Sequence, residues 1–393
     1  MFEQLEEPKA DAILALMAAF REDPRTDKLD LGVGIYKDED GRSTVMHAIK
    51  DAETSLLETQ DTKAYVSPAG SAEFNAAMID LVLGESASER HVAVQAVGGS
   101  GALAIIAGLL KQIRPNATVW LSDPTWPNHG PLIGSAGFTL ANYPYYDNAT
   151  STISFDAMLE TLSSAAEGDI VVLHGCCHNP TGADLDLEQW QAVAKLLREK
   201  KLFAFVDLAY QGFGDGLEED AAGVRLLARE LDEFAIAASC SKNFALYRER
   251  VGAAILQAAS AEDAQRAHKQ LSRVARSIYS MPPDHGANSA NLVLGDKARR
   301  KSWQDELETM RSRMQRLRTG FAEAMRKRSN SDRFDYIAAQ KGMFSRLPLS
   351  SEQLTRLREE YGIYIVGDGR INIAGLPDDG LEQLADRICS VME

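Results

Sequence analysis

Lys242 is the residue of this sequence whose surroundings most favour chemistry. It follows an apolar run that ends at Ala238, from which it is separated only by Ser239-Cys240-Ser241. Such a position would partly bury the amine, and a desolvated lysine beside other cations has a lowered pKa and becomes a nucleophile. Most lysines are solvated surface residues, so this hypothesis depends on what the rest of the chain supplies.

Asp207 ends another apolar run and is followed three residues later by Tyr210. A carboxylate at the end of a buried strand is costly unless it has a partner. We therefore expect Asp207 to face a cation or a hydrogen-bond donor, with Tyr210 close by. Capping of a helix is the structural alternative for Asp207.

A third polar segment runs from His174 to Gly182 and contains Asn179-Pro180-Thr181-Gly182. Turn chemistry explains the proline and glycine, but it does not explain an asparagine at the mouth of an apolar strand. The Cys176-Cys177-His178 cluster suggests zinc. Neighbouring residues of a strand point to opposite faces, so we predict no metal site there.

Two further segments offer a place for a phosphate and for a flat ring. Gly98-Gly99-Ser100-Gly101 precedes a predicted helix at 102–112, whose free N–H groups and dipole favour an anion. Ser100, Ser239 and Arg250 could hold a phosphate together. The glycine segment lacks the GxGxxG pattern and the later acidic residue of dinucleotide-binding proteins, which argues against a nicotinamide dehydrogenase. Trp126, between two prolines, could stack on an aromatic cofactor or simply pack in its loop.

These polar segments need a scaffold, and the apolar runs between residues 90 and 257 predict one. The runs alternate with helical patterns such as 187–200, which indicates a mainly parallel sheet with helices on both faces. Ligands bind beyond the carboxyl ends of the strands of such sheets, where the polar segments fall. The predicted strands are 91–97, 118–121, 170–174, 203–206, 234–238 and 253–256.

The C-terminal part of the chain reads as a smaller subdomain behind one long, charged helix. That helix is predicted at 297–328. It is followed by short strands at 361–366 and 370–373 and helices at 351–360 and 378–392.

Composition excludes several classes of function. The chain has 393 residues and a net charge of −15, which argues against nucleic acid as a partner. No apolar run approaches the ~20 residues of a membrane span, and the acidic N-terminus does not resemble a signal peptide. Four cysteines in a chain of this length form no disulfide framework, so we expect a cytoplasmic protein.

The ordered set of segments, together with Leu31-Gly32-Val33-Gly34-Ile35-Tyr36-Lys37-Asp38, resembles the class I pyridoxal-phosphate (PLP) aminotransferases of fold type I. The resemblance runs essentially the whole length and is greatest to the subgroup of aspartate and bacterial aromatic-amino-acid aminotransferases. It implies an α/β fold with a mainly parallel seven-stranded sheet in a large PLP-binding domain, residues 44–309. Residues 1–43 and 310–393 would form a smaller α+β domain.

The resemblance also implies roles for individual residues around pyridoxal 5′-phosphate. Lys242 would hold the cofactor as an imine and shuttle the proton at the substrate α-carbon. Asp207 would keep the pyridine nitrogen protonated, Asn179 and Tyr210 would bond the ring 3-oxygen, and Trp126 would stack on the ring. The phosphate would be bound by Gly99, Ser100, Ser239, Arg250 and Tyr65 of a neighbouring subunit.

For the substrate, the resemblance implies two arginine clamps. Arg370, helped by Gly34 and Asn179, would grip the α-carboxylate in a two-pronged pair. Arg276 would reach the other subunit's pocket and bind a distal carboxylate, so the active protein would be a homodimer. Judged without the family, both arginines would be assigned to ordinary ion pairs or to solvent.

The activity expected from the resemblance is transamination between an L-aromatic amino acid or L-aspartate and 2-oxoglutarate through pyridoxamine phosphate. Enzymes of this subgroup that accept aromatic substrates keep the arginine matching Arg276, so a strict aspartate aminotransferase stays open as an alternative. A β-lyase or decarboxylase on the same scaffold is not excluded by the fold, but the paired Arg276 and Arg370 argue against it, because decarboxylation would not profit from so firm a clamp on the α-carboxylate. A non-catalytic regulator would carry a DNA-binding module, for which a chain beginning almost at the predicted Asp11–Phe20 helix leaves no room.

Overall fold

The computed structural model describes residues 1–6 and 12–393. Short 3₁₀ turns lie at Phe2–Gln4, Gly84–Ser86 and Ile373–Gly375. The strands are β1 (Leu29–Asp30), β2 (His91–Val97), β3 (Thr118–Asp123), β4 (Thr139–Pro144), β5 (Tyr146–Asp147), β6 (Thr152–Ile153), β7 (Ile170–His174), β8 (Phe203–Leu208), β9 (Phe234–Ser239), β10 (Val251–Gln257), β11 (Phe344–Arg346), β12 (Ile363–Tyr364) and β13 (Arg370–Asn372). The helices are α1 (Ala12–Glu22), α2 (His47–Thr59), α3 (Ala72–Leu83), α4 (Gly98–Ile113), α5 (His129–Gly134), α6 (Phe155–Ser163), α7 (Leu187–Lys200), α8 (Ala222–Glu230), α9 (Ala261–Tyr279), α10 (His285–Gly295), α11 (Lys297–Ser329), α12 (Tyr336–Ala339), α13 (Ser351–Tyr361) and α14 (Leu381–Met392).

The central sheet has seven strands in the order β2-β10-β9-β8-β7-β3-β4. Only β10 runs against its neighbours, β2 and β9, and the other pairings in the sheet are parallel. The predicted fold class is confirmed. The apolar runs did not indicate β4, because this edge strand is largely exposed and mixes polar with apolar residues.

The strands read as unbroken apolar runs because both faces of the sheet are covered. Ile170, Val172 and Phe205 belong to a buried cluster that includes residues of α4 and α9. Their neighbours Val171 and Val206 belong to a second buried cluster on the other side. Successive residues of one strand therefore enter two different cores.

The predicted helices are found with small shifts at their ends. α7 spans the predicted 187–200 and begins at a capping box of Asp186 and Gln189. The prediction that helix α4 starts at 102 was wrong, since it starts at Gly98. Gly98 itself has a φ of +67°, a conformation that favours glycine, and its N–H donates to the carbonyl of Arg250.

The C-terminal predictions need two corrections. The predicted strand at 361–366 shrinks to β12, because Tyr361 still belongs to α13 and Gly362, with a φ of +67°, ends that helix. The helix predicted from 378 begins only at Leu381, after Gly380 with a φ of +92°.

The two ends of the chain pack together. β1 pairs in parallel with β12, β11 pairs with β13, and α14 packs on α11. This pairing supports a small domain built from 1–43 and 310–393, whose boundaries stay a prediction. Asp11, where the first helix was expected to begin, lies outside the described residues, and α1 is described from Ala12. In the described part of the chain, no helix has the length and apolar character needed to cross a membrane.

Candidate active site

A cavity of about 180 Å³ opens at the carboxyl ends of the central strands. Most of the residues predicted for the site line it; Arg370, Tyr65 and Arg276 do not. The cavity is lined by Gly34, Gly99, Ser100, Leu103, Trp126, His174, Asn179, Asp207, Ala209, Tyr210, Ser239, Ser241, Lys242, Tyr247 and Arg250.

Lys242 lies just after β9, where the buried strand delivers its amine into the cavity. The Nζ atom lies 4.7 Å from the centroid of the Tyr210 ring. Burial lowers the pKa of Lys242 to about 8, Asp207 opposes this shift, and Arg250 and Arg370 add to it. The neutral, nucleophilic form of the amine is therefore far more populated near neutral pH than that of an ordinary lysine, although the protonated form still predominates.

Asp207, near the end of β8, is 7% exposed and has a partner that the sequence analysis did not assign. Its Oδ2 lies 3.0 Å from Nε2 of His129, and Nδ1 of His129 lies 2.8 Å from Oγ1 of Thr125. Burial alone would raise the pKa of Asp207, but the hydrogen bond with His129 and the nearby cations outweigh it and the pKa is lowered. Asp207 is thus an ionised carboxylate at the bottom of the cavity.

Arg370 is 4% exposed and approaches the cavity from the small domain. Its Nη1 donates to Oδ1 of Asn179 at 3.3 Å and its Nη2 to the carbonyl of Gly32 at 2.9 Å, while Nε has no partner among the described residues. Asn179 in turn donates to the hydroxyl of Tyr210 at 3.4 Å. No carboxylate forms a salt bridge with Arg370 in the described parts of the chain, so a buried guanidinium is left to bind an anion.

The start of α4 and the residues after β9 form a small polar cup. Oγ of Ser239 donates to Oγ of Ser241 at 3.1 Å, and Nη1 of Arg250 donates to the same Ser241 oxygen at 3.4 Å. A Cβ on Gly98 would lie 2.5 Å from Nη2 of Arg250, and one on Gly99 would lie 3.0 Å from Cβ of Ser239. The glycines therefore let the helix N-terminus approach the arginine and the serines, an arrangement suited to a phosphate.

Sequence reasoning missed several residues of the cavity. His174 begins the 174–182 segment but was given no role, and Ser241, Tyr247, Leu103 and Ala209 were not singled out for the site. His129, which does not line the cavity but contacts Asp207, was not assigned a role either. No local pattern identified His129, because its partner Asp207 lies 78 positions away in the chain. Both ring nitrogens of His174 are buried without a partner among the described residues.

The adjacent cysteines do not lie on a strand, so the expectation that their side chains point to opposite faces was wrong. Cys177 has a φ of +50°, so the segment is not a strand there, and ligand atoms of Cys176, Cys177 and Asp220 all lie within 4.8 Å of one another. Both oxygens of Asp220 already accept backbone N–H groups of Gly212, Gly214 and Asp215.

The donors around the cavity fit the cofactor that the resemblance implies. A phosphate suits the cup at Gly99 and Arg250, a protonated ring nitrogen suits the Asp207 carboxylate, and a carbonyl carbon suits the amine of Lys242. The unpartnered nitrogens of His174 beside the same cavity leave hydrogen-bonding capacity for a bound group.

Tyr65 and Arg276 stand apart from this cavity. Tyr65 is 92% exposed, and Arg276 is exposed in the last turn of α9. Their predicted roles in the site of a second subunit stay predictions.

The chain was compared with known proteins. A family model described as aminotransferase class I and II matches residues 26–388. The aromatic-amino-acid aminotransferase of Paracoccus denitrificans is 47% identical over 392 residues, covering 100% of both chains. The aspartate aminotransferase of Escherichia coli (strain K12) is 43% identical over 396 residues, again covering 100% of both.

Solved structures agree with these sequence relatives. The aromatic-amino-acid aminotransferase from Burkholderia pseudomallei, covalently bound to pyridoxal phosphate, has a TM-score of 0.97, 42% identity and 100% coverage of both chains. The family depends on pyridoxal phosphate. This chain belongs to the class I and II aminotransferases, and it is an aminotransferase.

Proposed function

We propose that this aminotransferase moves the amino group between an L-aromatic amino acid or L-aspartate and 2-oxoglutarate, with pyridoxal 5′-phosphate held in the cavity at Lys242. The observation that carries the proposal is a lysine of lowered pKa beside an ionised buried carboxylate, Asp207, in one cavity with a phosphate-sized cup. Relatives named for both kinds of substrate support the substrate class.

The residues of this chain would divide the work as follows. When bound, the cofactor supplies a carbonyl that condenses with amines and a ring that accepts electrons from the substrate α-carbon. The amine of Lys242 would take the proton from the substrate α-carbon and deliver it to the C4′ carbon of the cofactor. Asp207, kept ionised by His129, would hold the ring nitrogen protonated, and Tyr210 and Asn179 would bond the ring oxygen. Trp126 would pack on the flat face.

Arg370 would bind the substrate α-carboxylate. Its Nε lacks a partner, and two of its donors are shared with neutral acceptors that a carboxylate would outcompete. Gly34 lies beside this position, where a Cβ would come within 2.8 Å of the Phe344 ring, so a bare backbone is required.

A homodimer with shared sites is part of the proposal. Tyr65 and Arg276 are exposed on their own chain, and we infer that they complete the phosphate cup and the distal-carboxylate pocket of a second copy. The buried, unpaired cysteines Cys176, Cys177, Cys240 and Cys389 fit the proposed cytoplasmic location.

The test is an absorbance spectrum of the purified protein with and without an amino donor. A visible band that bleaches with phenylalanine and with aspartate, and returns with 2-oxoglutarate, would support both the cofactor and the substrate class. Bleaching by aspartate alone would favour the strict aspartate aminotransferase. After borohydride reduction, the pyridoxyl label must be on the peptide that contains Lys242; a label elsewhere would overturn the site.

A further inference from the structure

Arg318, on α11, is a buried cation without a direct salt bridge in the described parts of the chain. It is 2% exposed, and in the described parts of the chain no carboxylate lies within salt-bridge distance of it. Burial lowers its pKa to about 10, so it is still protonated at neutral pH. Taking a guanidinium out of water is costly, and here all the direct hydrogen-bond acceptors are neutral, while the Asp184 carboxylate favours the cation only from beyond hydrogen-bond distance.

Those acceptors all belong to one short segment, 337–345. The guanidinium of Arg318 donates to the carbonyl of Ile337 at 3.0 Å, of Lys341 at 3.0 Å, of Gly342 at 2.9 Å and of Phe344 at 2.5 Å. It also donates to Oγ of Ser345 at 2.7 Å. One side chain therefore fixes the path of the segment that leads into β11.

Arg313, five residues earlier on the same helix, is a useful contrast. It is 7% exposed and also donates to backbone carbonyls, but its Nε additionally pairs with Oδ2 of Asp378 at 3.0 Å. An ion pair accounts for its burial. Arg318 has no such pair, and its position is explained by the segment that it holds.

The segment carries Phe344, whose ring lies under the proposed α-carboxylate clamp. The guanidinium of Arg370 lies 4.5 Å from the Phe344 centroid, and the ring meets Tyr210 edge-on at 5.9 Å. A cation over an aromatic face is attracted by it and oriented by it. The place of Phe344 therefore helps to set the orientation of Arg370.

The same segment also contacts the loop that carries Asn179, another partner of Arg370. The N–H of Lys341 donates to the carbonyl of Gly182 at 2.7 Å. Gly182 has a φ of +71°, and a Cβ there would lie 2.3 Å from the carbonyl oxygen of Phe344. Two of the three contacts that orient Arg370, the Asn179 amide and the Phe344 ring, thus depend on the segment anchored by Arg318; the third is the carbonyl of Gly32.

We propose that Arg318 is a positioning residue for substrate binding, which acts through the 337–345 segment on Arg370 and Asn179. It does not touch the cavity residues that face the cofactor. The inference rests on the proposed function of Arg370, and it predicts that loss of Arg318 impairs capture of the substrate carboxylate while the cofactor stays bound.

The surface of the molecule offers a direct test by chemical rescue. Arg318 lines a second cavity of about 200 Å³, together with Thr319, Ala339 and Lys341, so a small cation can reach the space that truncation would leave. In the holoenzyme, Arg318→Ala should raise KM for amino donors by up to ~100-fold, since small misplacements of a clamp cost that much. The cofactor absorbance should be unchanged. Millimolar guanidinium chloride should lower KM most of the way back to the wild-type value, whereas ammonium or sodium chloride should not.

Two variants keep the test decisive. Arg313→Ala is the matched control: it removes a buried arginine of the same helix and should lower the melting temperature without the rise in KM. Arg318→Lys keeps the charge but loses the planar guanidinium and its several hydrogen-bond donors. It should therefore show an intermediate KM even if the alanine variant fails to fold. An Arg318→Lys enzyme with wild-type KM, or an alanine variant whose KM rise ignores guanidinium, would overturn the proposal. Wild-type enzyme without amino transfer would instead refute the proposed function.

Discussion

The proposed site has an inner part, which is buried at the central sheet, and an outer part, which is exposed on the surface. The structure of a single chain indicates the roles of the inner residues but not those of the outer ones. The inner residues, such as Lys242 and Asp207, are enclosed by the sheet and perturb each other's pKa. The outer residues, Tyr65 and Arg276, are exposed and touch none of the cavity. A buried charge must be compensated or used, so it is informative by itself. An exposed one acquires meaning only with a partner.

The largest effect should come from the inner part. Lys242→Ala removes the proposed proton carrier and cofactor anchor, so kcat should fall by about 10⁴-fold or more, the upper range for general acid–base catalysis. Turnover of both phenylalanine and aspartate should fall together. Single-turnover absorbance measurements would follow the half-reaction directly.

The matched control is Lys195→Ala, because that side chain is 66% exposed and lies on α7. It should leave both rates unchanged. Retention of substantial activity by the Lys242 variant would contradict the assignment of the amine, and with it the distinction between the inner and outer parts.

The next effect in size concerns Asp207. Asp207→Asn keeps the shape but removes the charge that would hold the ring nitrogen protonated, and loss of one preorganised electrostatic group in an active site costs ~2.7–4 kcal/mol of transition-state stabilisation. We expect kcat to fall by roughly 10²- to 10³-fold. Asp220→Asn, at another buried carboxylate, should lower the melting temperature and leave kcat alone. Equal losses of kcat in both variants would show that buried carboxylates matter here only for folding.

The inner part is also where the sequence predicted most. Unbroken apolar runs located six of the seven sheet strands, because burial on both faces leaves a strong signal, while the exposed edge strand β4 left none. Strand ends pointed to Lys242, Asp207 and Asn179, since polar residues there contradict their surroundings.

The sequence alone did not reveal contacts between distant segments. The bond between His129 and Asp207 joins residues 78 positions apart, and Arg318 anchors a loop for which no local pattern exists. Without the family resemblance, Arg370 carried only an ordinary ion-pair interpretation, and the structure adds a buried guanidinium whose Nε has no partner among the described residues. The roles of Tyr65 and Arg276 came from the family resemblance only, because no property of one chain assigns them.

A smaller and selective effect is expected in the outer part. Arg276→Leu removes one charge-assisted bond to a distal carboxylate, worth about 1.5–3 kcal/mol. The kcat/KM for aspartate should therefore fall by roughly 10- to 150-fold, and phenylalanine turnover should change far less. Arg273→Leu, one turn earlier and equally exposed on α9, is the control. Equal losses for both substrates would contradict the role of Arg276.

Hybrid dimers would test whether the outer residues act across subunits. A chain with Arg276→Leu mixed with a chain carrying Lys242→Ala leaves one site with an intact lysine and the partner's intact arginine. Aspartate turnover should then reappear in the hybrid, although both parent dimers are poor. If Arg276 served its own chain, mixing would restore nothing.

The smallest expected effect is the pH dependence of Lys242 in the cofactor-free protein. Its pKa, about 8, is below the ordinary value of 10.5, so capture of pyridoxal phosphate, trapped with borohydride, should accelerate as pH rises and level off above about 8. Between pH 8 and 10.5 the unfolded state binds the extra proton, so this residue's contribution to stability should improve with pH through that window. The difference in unfolding free energy between wild type and Lys242→Met should follow that direction. In Asp207→Asn the capture midpoint should move lower, because Asp207 raises the lysine pKa. A midpoint that stayed near 10.5 in the wild type would mean that the amine is solvated. Lys242 would then not be buried, and in this respect it would resemble the exposed residues Tyr65 and Arg276.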